Sequence, residues 1–409
     1  MKTERDFSRV ILTERGSRRR ASRHPWVYDN EIASVEGDYQ NGDIADVITS
    51  GGKYAGSGFI NDRSKIRVRI ISDNANETFD EAFWERRIGY ALDYRDTVMG
   101  KDTGDTLCCR LIFGEADEFP GLTVDRFNDI LVTQVLSLGT ELRKDVIYRS
   151  LYKAMRERGA DIKGIYERND VNIRLLEGME EYKGWYEGDG IPVPGSPVTS
   201  INENGIIYDV DVENGQKTGF FLDQKYNRKA ISKIAKGKKV LDCFTHTGSF
   251  ALNAAKGGAS HVHAVDVSET AISMARNNAE KNGLTDIMSF EAADVFDLLP
   301  TISKGEYDFI ILDPPAFTKS RKTKSNAERG YKEINYRAMK LLRRGGYLAT
   351  CSCSHFMDEE SFIRMLDSAA RDAGVRIKQI EKRQQSPDHP ILHSVPETDY
   401  LKFFILQIF

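Results

Sequence analysis

A strand that runs into two prolines constrains this chain more than any other sequence feature. The apolar run 307–312 leads directly into Asp313-Pro314-Pro315-Ala316-Phe317. Proline lacks the amide proton that a sheet ladder needs, so the strand must end there. Open parallel sheets bind ligands at this carboxyl edge, and a rigid carboxylate with an aromatic ring suits a planar, polar substrate such as a nucleobase. The simpler interpretation is a strand that only ends in a turn.

Length and composition indicate a soluble protein of two or three domains. At 409 residues the chain is too long for one ordinary hydrophobic core. No apolar stretch is long enough to span a bilayer and the N-terminus is charged, so we expect a cytoplasmic location and no membrane partner. The cysteines are Cys108, Cys109, Cys243, Cys351 and Cys353. An odd number without C-x-x-C spacing predicts neither a disulfide framework nor a metal site.

Positive charge is clustered, although the net charge is −4. One cluster near the N-terminus contains Arg5, Arg9, Arg15, Arg18, Arg19, Arg20 and Arg23. A second cluster after the proline pair contains Lys319, Arg321, Lys322, Lys324, Arg329 and Lys332. A charged run usually forms only a solvated face, but two clusters, one of them beside the expected ligand edge, favour RNA or DNA as a partner.

Three domains are predicted along the chain. Residues 1–72 contain β-branched runs between glycine-rich breaks, which indicates a small β-barrel-like domain. Residues 73–190 combine short strands with helical periodicity, including a helix over 141–158, and indicate a central α+β domain. The Gly- and Pro-rich stretch 188–197 is typical of a linker. Strands and helices then alternate through residues 191–409, as a doubly wound α/β sheet requires.

The last domain contains the elements of a nucleoside-cofactor site. Strand 238–244 is followed by the turn 245–249, and the next strand ends in Asp266, an acid placed to accept hydrogen bonds from a ribose diol. The turn lacks both the G-x-G-x-x-G spacing for a diphosphate and the Lys-Ser/Thr of a P-loop, so S-adenosylmethionine (SAM) fits better than a nucleotide. Amide groups near Gly248 would meet its carboxylate, and Asp294 would reach its adenine amino group.

Two thiols are expected at the same sheet edge as Asp313. The strand that ends near Thr350 leads into Cys351 and Cys353. Buried cysteines are commonly inert, but a thiolate beside a flipped pyrimidine can add to ring carbon 6, which makes carbon 5 nucleophilic enough to accept a methyl group. Asp313 would then hold the exocyclic amine and ring nitrogen of cytosine, and the basic loop after Phe317 would clamp the extruded strand.

Several segments carry a resemblance to a known family. They are 23–28, 119–126, 214–224, 242–248, 313–317 and 352–354. These segments resemble the motifs of the PUA-domain-containing SAM-dependent large-subunit ribosomal RNA cytosine-5 methyltransferases, in order along the whole chain. The resemblance implies a class I SAM-dependent methyltransferase fold, Rossmann-like and doubly wound, behind a PUA-like RNA-binding domain. It further implies formation of 5-methylcytosine in 23S ribosomal RNA, and it leaves a homodimer open.

The resemblance also implies roles for individual residues. In the family the recurring thiol stands between two serines, which matches Cys353 as the nucleophile and leaves Cys351 as the second choice. His355 stands where we expect glycine in relatives. The cofactor approach would be lined by Phe220, Leu222, Asp223, Gln224 and Arg228. The rest of the predicted cofactor site is Asp242, Phe244, Thr247, Gly248, Asp266, Val267, Asn278, Asp294, Val295, Asp313 and Pro314.

Competing interpretations of the function remain at this point. The chain could methylate guanine at ring nitrogen 7, a reaction that needs no thiol nucleophile. It could be a noncatalytic RNA-binding factor in ribosome assembly that only retains the SAM fold. Methylation of a small molecule or a protein is a third alternative, against which the N-terminal domain and the basic loop argue.

Some residues also have structural interpretations that compete with the functional ones. Asn277 and Asn278 could face solvent or cap a turn instead of touching a cofactor. Asp223 and Arg228 could form a surface ion pair of little energetic value. An aromatic pair in segment 23–28, Trp26 and Tyr28, could stack on RNA bases or pack in the core of the small barrel.

Overall fold

The fold is described by a computed structural model that covers residues 5–101, 104–188, 190–317 and 324–409, without the side chains of 324–327. Residue 189 of the predicted linker lies outside these ranges. The chain divides into two compact units: Met1–Ile201, Asp209–Leu222 and Pro387–Thr398 form one, and Asn202–Tyr208, Asp223–Ser386 and Asp399–Phe409 form the other. The domain boundaries expected near residues 72 and 190 stay predictions.

The first unit begins with a six-stranded sheet. Its strands are β1 (Ser8–Leu12), β2 (Trp26–Tyr28), β3 (Ile32–Glu36), β4 (Ile44–Ile48), β5 (Tyr54–Ile60) and β6 (Ile66–Ser72), and helix α1 (Glu14–Arg20) follows β1. Their order is β2-β6-β5-β4-β1-β3. Alternate β-branched residues such as Val10, Val47 and Val68 point inward and form its core. The β-rich fold expected for this segment is confirmed.

A five-stranded sheet follows in the same unit. Its strands are β7 (Cys108–Phe113), β8 (Leu122–Phe127), β9 (Ile130–Val135), β10 (Gly164–Asn169) and β11 (Tyr182–Trp185), in the order β11-β10-β9-β8-β7. The helices of this segment are α2 (Glu81–Met99), α3 (Leu138–Glu141) and α4 (Lys144–Glu157). Helix α2 begins where the Asp80 carboxylate accepts a hydrogen bond from the Phe83 amide at 3.0 Å.

The helix expected over 141–158 is confirmed as α4, which spans Lys144–Glu157, and the short helix α3 that precedes it was not expected. Arg143 separates them with non-helical dihedral angles, φ −119° and ψ 7°. Its guanidinium donates to the carbonyl oxygens of Gly42 and Gly139 at 2.8 and 2.9 Å. Since the Gly42 contact comes from a distant part of the chain, helical periodicity alone could not place the start of α4 after Arg143.

The second unit contains a seven-stranded sheet. A hairpin precedes it, β12 (Val198–Glu203) and β13 (Ile206–Asp211). The strands of the sheet are β14 (Lys239–Cys243), β15 (His261–Asp266), β16 (Met288–Ala292), β17 (Phe309–Leu312), β18 (Tyr347–Ser352), β19 (Ile377–Arg383) and β20 (Lys402–Ile408). The helices are α5 (Lys225–Ala235), α6 (Ser249–Lys256), α7 (Glu269–Lys281), α8 (Val295–Leu298), α9 (Lys324–Leu341) and α10 (Glu359–Ala373).

The order of this sheet is β16-β15-β14-β17-β18-β20-β19. Strands β14 to β18 pair in parallel, and β20 pairs antiparallel with both β18 and β19. All four residues of β17 are buried, as expected of a strand covered on both faces. The strand order reverses between β14 and β17, which is where such sheets bind ligands. The doubly wound α/β fold predicted from the sequence is confirmed.

No helix within the described residues combines the length and the apolar character needed to cross a membrane.

A buried ion pair anchors α5 to β12. The Arg228 guanidinium donates to both carboxylate oxygens of Glu203, at 2.6 and 2.7 Å, and the two side chains are 1% and 0% exposed. The surface location expected for Arg228 and Asp223 is wrong, because both residues are buried. A buried charge is costly unless its partner is present, so this pair ties the two elements together.

We expect Glu203→Gln to lower the free energy of unfolding by about 3 to 5 kcal/mol, because it leaves the Arg228 charge buried without its counterion. Urea unfolding followed by circular dichroism measures this. The double variant Glu203→Leu with Arg228→Leu is the matched control and should lose less, since it removes both charges. An equal or larger loss in the double variant would mean that side-chain shape, not charge pairing, sets the stability.

Candidate active site

The loop after β14 is shaped by the buried carboxylate of Asp242. One of its oxygens accepts hydrogen bonds from the Thr245 hydroxyl at 2.5 Å and from the Ala251 amide at 2.9 Å. The backbone turns sharply here, with positive φ at Phe244 (64°) and Gly248 (80°). A Cβ added at Gly248 would approach the Ala275 Cβ at 3.0 Å, so glycine is favoured by both the conformation and the close packing. Asp242 therefore stabilises the conformation of the loop that follows it.

Asp266 at the end of β15 holds the other side of this loop. Its two carboxylate oxygens accept hydrogen bonds from the backbone amides of His246 and Ser268, at 2.9 and 3.0 Å. The neighbouring Val267 is 73% exposed. Asp266 thus lies where a ribose was predicted, with part of its hydrogen-bonding capacity used by the protein.

Asn278 on α7 is buried and holds the loop from below. Its amide donates to the Thr247 carbonyl oxygen at 3.0 Å. The interpretation that Asn278 faces solvent is wrong, whereas its neighbour Asn277 is exposed. Sequence periodicity could not identify this contact, because it joins a helix to a loop about thirty positions away.

The predicted adenine-binding segment follows β16. The exposed Asp294 caps α8, and its carboxylate accepts a hydrogen bond from the Phe296 amide at 2.7 Å. Val295 is 2% exposed and its side chain belongs to the hydrophobic core of the unit. Only the backbone of Val295 could face a ligand, while Asp294 combines its capping role with an accessible side chain.

Three carboxylates give this edge of the sheet a negative character. Burial, together with the nearby charges of Asp313 and Asp266, raises the pKa of Asp242 to about 7. Two buried polar atoms, the second carboxylate oxygen of Asp242 and the hydroxyl of Thr247, have no hydrogen-bond partner within the part of the chain that the structure describes. This polar capacity fits a ligand that carries positive charge and donor groups. SAM has both, as a sulfonium and an ammonium group.

Asp313 follows β17 and meets the thiol of Cys351. The distance between the Cys351 Sγ and the Asp313 Oδ1 is 2.9 Å. Cys351 is 1% exposed, and burial together with the Asp313 charge raises the pKa of its thiol well above the usual range. Cys351 is therefore held as a neutral thiol that donates to Asp313. Pro314 is buried at the start of the proline pair.

Cys353 lies just beyond the end of β18 and is less buried than Cys351. The structure thus brings both thiols to the edge that carries Asp313. His355, two residues farther on, is exposed, and its φ is not positive. The loop accepts histidine where we expected glycine, because it does not use the conformation that only glycine adopts readily.

A chain of buried amides orients Asp313. The Gln224 amide nitrogen donates to the Asp313 Oδ1 at 3.3 Å and lies 3.5 Å from the Cys351 Sγ. The Asn227 amide donates to the Gln224 oxygen at 2.6 Å, and the Arg383 guanidinium donates to the Asn227 oxygen at 3.2 Å. Because each amide has a fixed partner, Gln224 presents its nitrogen to Asp313. Asn227 and Arg383 were not predicted from the sequence; the spacing of Gln224 and Asn227 at the start of a helix was the available signal.

The residues predicted to line the cofactor approach are mostly buried. Asp223 is 4% exposed and its carboxylate accepts a hydrogen bond from the Tyr400 hydroxyl at 2.7 Å. Phe220 and Leu222 are 4% and 2% exposed. Arg228 is occupied by its pair with Glu203. Their contacts with a cofactor stay predictions.

The structure describes all arginines of the first basic cluster but only part of the second cluster. In the second cluster, Lys319, Arg321, Lys322 and the side chain of Lys324 lie outside the described residues, Arg329 is exposed, and Lys332 pairs with Asp372 at 2.6 Å. In the first cluster, several arginines pair with acids of the first sheet, as Arg19 does with Glu31 at 2.9 Å, whereas Arg15, Arg18 and Arg23 are exposed.

The aromatic pair of the N-terminal segment is half-buried. The Trp26 indole donates to the Glu115 carboxylate at 2.8 Å, and the Trp26 and Tyr28 rings meet edge to face at 6.5 Å. The Arg19 guanidinium lies 4.6 Å from the centre of the Tyr28 ring. These contacts hold both rings in place, and their stacking on RNA bases stays a prediction.

Two family profiles match this chain. The profile of the S-adenosylmethionine-dependent methyltransferases matches residues 185–403, and the profile of the PUA-like domain matches residues 10–73. Two solved structures share the fold: SMU.776 in complex with SAH, at 19% identity and a TM-score of 0.81, and a Streptococcus mutans protein assigned to the SAM-dependent methyltransferases, at 20% identity and a TM-score of 0.79. Each covers 98% of this chain and 99% of its own.

Relatives of known assignment extend the match to nearly the full chain. Ribosomal RNA large subunit methyltransferase I of Aeromonas salmonicida is 42% identical over 391 residues, which are 94% of this chain and 95% of the relative. The protein of the same name from Erwinia tasmaniensis is 39% identical over 404 residues, or 98% and 99%. The predicted fold, family and cofactor are thereby confirmed. The chain belongs to the S-adenosylmethionine-dependent methyltransferase family, within the PUA-domain-containing group that includes the ribosomal RNA large subunit methyltransferases I.

Proposed function

We propose that this protein methylates carbon 5 of a cytosine in large-subunit (23S) ribosomal RNA through a covalent adduct with Cys353. The relatives named above act on ribosomal RNA of the large subunit, and the PUA-like domain supplies a second RNA-binding surface. Carbon 5 as the target is supported by the thiols at the ligand edge, since methylation of a purine nitrogen needs no nucleophilic thiol.

The observation that carries this proposal is the contact between Cys351 and Asp313. A thiol that donates to a carboxylate at 2.9 Å and is 1% exposed is poorly suited to attack a base. Cys353 lies on the same edge, is more exposed and follows the end of β18. Of the two thiols, Cys353 is therefore the better candidate for the nucleophile, and Cys351 helps to position Asp313.

The protein's own groups would act in a fixed order. Asp313, held by Gln224 and Cys351, accepts a hydrogen bond from the cytosine amine and orients the ring. The Cys353 thiolate forms a bond to carbon 6, and the electron pair of the carbon 5–carbon 6 double bond becomes available at carbon 5. Bound SAM supplies the electrophilic methyl group. A base then removes the carbon 5 proton, the Cys353–carbon 6 bond breaks, and the thiolate is restored.

The same proposal includes RNA as the binding partner and a cytoplasmic location. RNA would contact the exposed arginines of the first cluster and the basic segment after Phe317, and binding should weaken as salt is raised. A cytoplasmic location follows from a ribosomal substrate. The homodimer stays open and is tested by light scattering of the purified protein.

We expect Cys353→Ser to lower 5-methylcytosine formation by at least about a thousandfold, because a serine hydroxyl is a much weaker nucleophile at neutral pH. The matched control is Cys351→Ser, which keeps a donor for Asp313 and should remain within about tenfold of the unaltered protein. The measurement is transfer of labelled methyl groups from SAM to purified 23S ribosomal RNA, with the product nucleoside identified by mass spectrometry.

The same measurement separates the competing functions. Methylated guanine with activity preserved in Cys353→Ser would replace the cytosine proposal by nitrogen 7 methylation. RNA binding without any methyl transfer would indicate a noncatalytic assembly factor. Transfer to a protein or small molecule, with none to RNA, would overturn the substrate. If Cys351→Ser is inactive and Cys353→Ser is active, the roles of the two thiols are reversed.

We expect SAM to bind about tenfold more tightly at pH 8 than at pH 6, because the cationic cofactor favours the ionised form of Asp242 and the pKa of that carboxyl is about 7 in the unliganded protein. As pH rises through 7, Asp242 loses its proton before binding, so affinity increases and then levels off. Isothermal titration calorimetry measures the dissociation constant at each pH.

The control for this prediction is Asp242→Asn, which keeps an acceptor for Thr245 and Ala251 but cannot titrate. Its affinity for SAM should be lower at pH 8 and nearly independent of pH. If the variant keeps the full pH dependence, a group other than Asp242 governs cofactor binding.

A further inference from the structure

The last strand of the sheet begins with a buried lysine. Strand β20 consists of Lys402–Ile408, and six of its seven residues are buried, Lys402 among them at 6% exposure. Burial of an ammonium group costs free energy unless its donors are satisfied. A lysine at the start of a mostly apolar strand is therefore a sequence signal that its packing requires an explanation.

The neighbours of Lys402 are the residues around the candidate nucleophile. Its strand pairs antiparallel with β18, with Lys402 opposite Ser352. The Lys402 Nζ donates to the carbonyl oxygen of Ser354 at 2.6 Å and to that of Tyr400 at 2.8 Å. Ser352 and Ser354 flank Cys353 on both sides. The ammonium group is thus fixed against the short segment that carries the thiol.

The partners of Lys402 are unusual for a buried cation. Within the described residues, its hydrogen bonds go to carbonyl oxygens and it forms no ion pair with a carboxylate. Its charge is therefore held by dipoles and is not neutralised in direct contact. A thiolate that forms nearby gains free energy from such a charge, because screening by water is weak at a buried site.

Titratable groups around Lys402 partly offset the effect of its burial. Burial lowers the pKa of the ammonium group, Asp399, Cys353, Asp358 and Cys351 raise it, and the resulting value is about 8. Two of these four groups are the thiols at the active edge. Electrostatic coupling is mutual, so a cation whose pKa is raised by a thiolate stabilises that thiolate by the same amount.

We propose that Lys402 is a positioning residue that stabilises the Cys353 thiolate through its buried ammonium group, which the carbonyls of Ser354 and Tyr400 hold in place. This inference rests on the proposed role of Cys353 as the nucleophile. At neutral pH the thiol proton leaves to solvent and Lys402 keeps its own protons, since its pKa of about 8 lies above neutral pH. Cys351 does not gain in the same way, because its thiol is next to the Asp313 carboxylate, which disfavours a second negative charge. Lys402 and Asp313 thereby give the two thiols opposite roles.

The experiment measures the rate at which iodoacetamide alkylates Cys353 as a function of pH, with the modified peptides quantified by mass spectrometry. We expect the midpoint for Cys353 in the unaltered protein to lie about one pH unit below the usual thiol value of about 8.5. Lys402→Gln keeps donor groups for the two carbonyls but removes the charge, so it should raise the midpoint by about one unit, a roughly tenfold slower reaction at pH 7.

Lys402→Arg is the matched control, because it keeps the charge and should leave the midpoint close to that of the unaltered protein. Identical midpoints for Lys402→Gln and Lys402→Arg would overturn the proposal and reduce Lys402 to a structural tie of the loop. If Lys402→Gln does not fold, the unaltered protein decides, since a Cys353 midpoint at or above 8.5 contradicts the inference. Thermal unfolding of each variant separates the effect on charge from an effect on stability.

The alkylation test uses neither RNA nor SAM, so it fails separately from the proposed function. A lowered Cys353 midpoint that depends on Lys402, found without any cytosine methylation, would leave the thiol activation intact and remove the proposed reaction. Cytosine methylation together with a Cys353 alkylation midpoint that does not depend on Lys402 would support the proposed reaction and contradict the role of Lys402.

Discussion

The reversal of strand order between β14 and β17 is the constraint on which the rest of this site depends. At that point the chain connections leave the sheet on opposite faces, which opens a crevice at the carboxyl ends of the two strands. The register aligns Cys243 with Leu312, so the carboxylates of Asp242, on β14, and of Asp313, directly after β17, lie beside the crevice. Their repulsion contributes to the raised pKa of Asp242. A site that concentrates negative charge in this way is prepared for a cationic ligand.

The orientation of Asp313 depends on polar groups that are themselves buried. Gln224 and Asn227 are 3% and 1% exposed, and each must find partners because an unsatisfied buried amide costs about 1 to 3 kcal/mol. The hydrogen bonds from Arg383 through Asn227 and Gln224 to Asp313 satisfy this demand in sequence. A carboxylate that is already oriented by hydrogen bonds loses little conformational entropy when a substrate binds. This is the physical basis of preorganisation in such sites.

Local sequence pattern predicts this structure correctly where pattern and chemistry agree. The buried strand before Asp313 and the turn around Gly248 were identified because a proline stop and a glycine with positive φ leave direct marks in the sequence. It failed where distant parts of the chain decide the outcome. Arg143 separates α3 from α4 through a contact with the Gly42 carbonyl oxygen, and the guanidinium of Arg228 is paired with Glu203 at full burial. Neither partner can be recognised from spacing, since Gly42 and Glu203 lie 101 and 25 positions away.

The sequence by itself determined the doubly wound fold, the family and the arrival of two thiols at one sheet edge. It could not decide which thiol meets Asp313, because Cys351 and Cys353 are two positions apart and share one face of an extended strand. The register of β17 with β18 made that decision: Leu312 lies opposite Thr350, so Asp313 follows beside Cys351. Pairing of β20 with β18 likewise brought Lys402 to the same segment. Strand register is a property of the assembled sheet, and it assigned the two thiols their different surroundings.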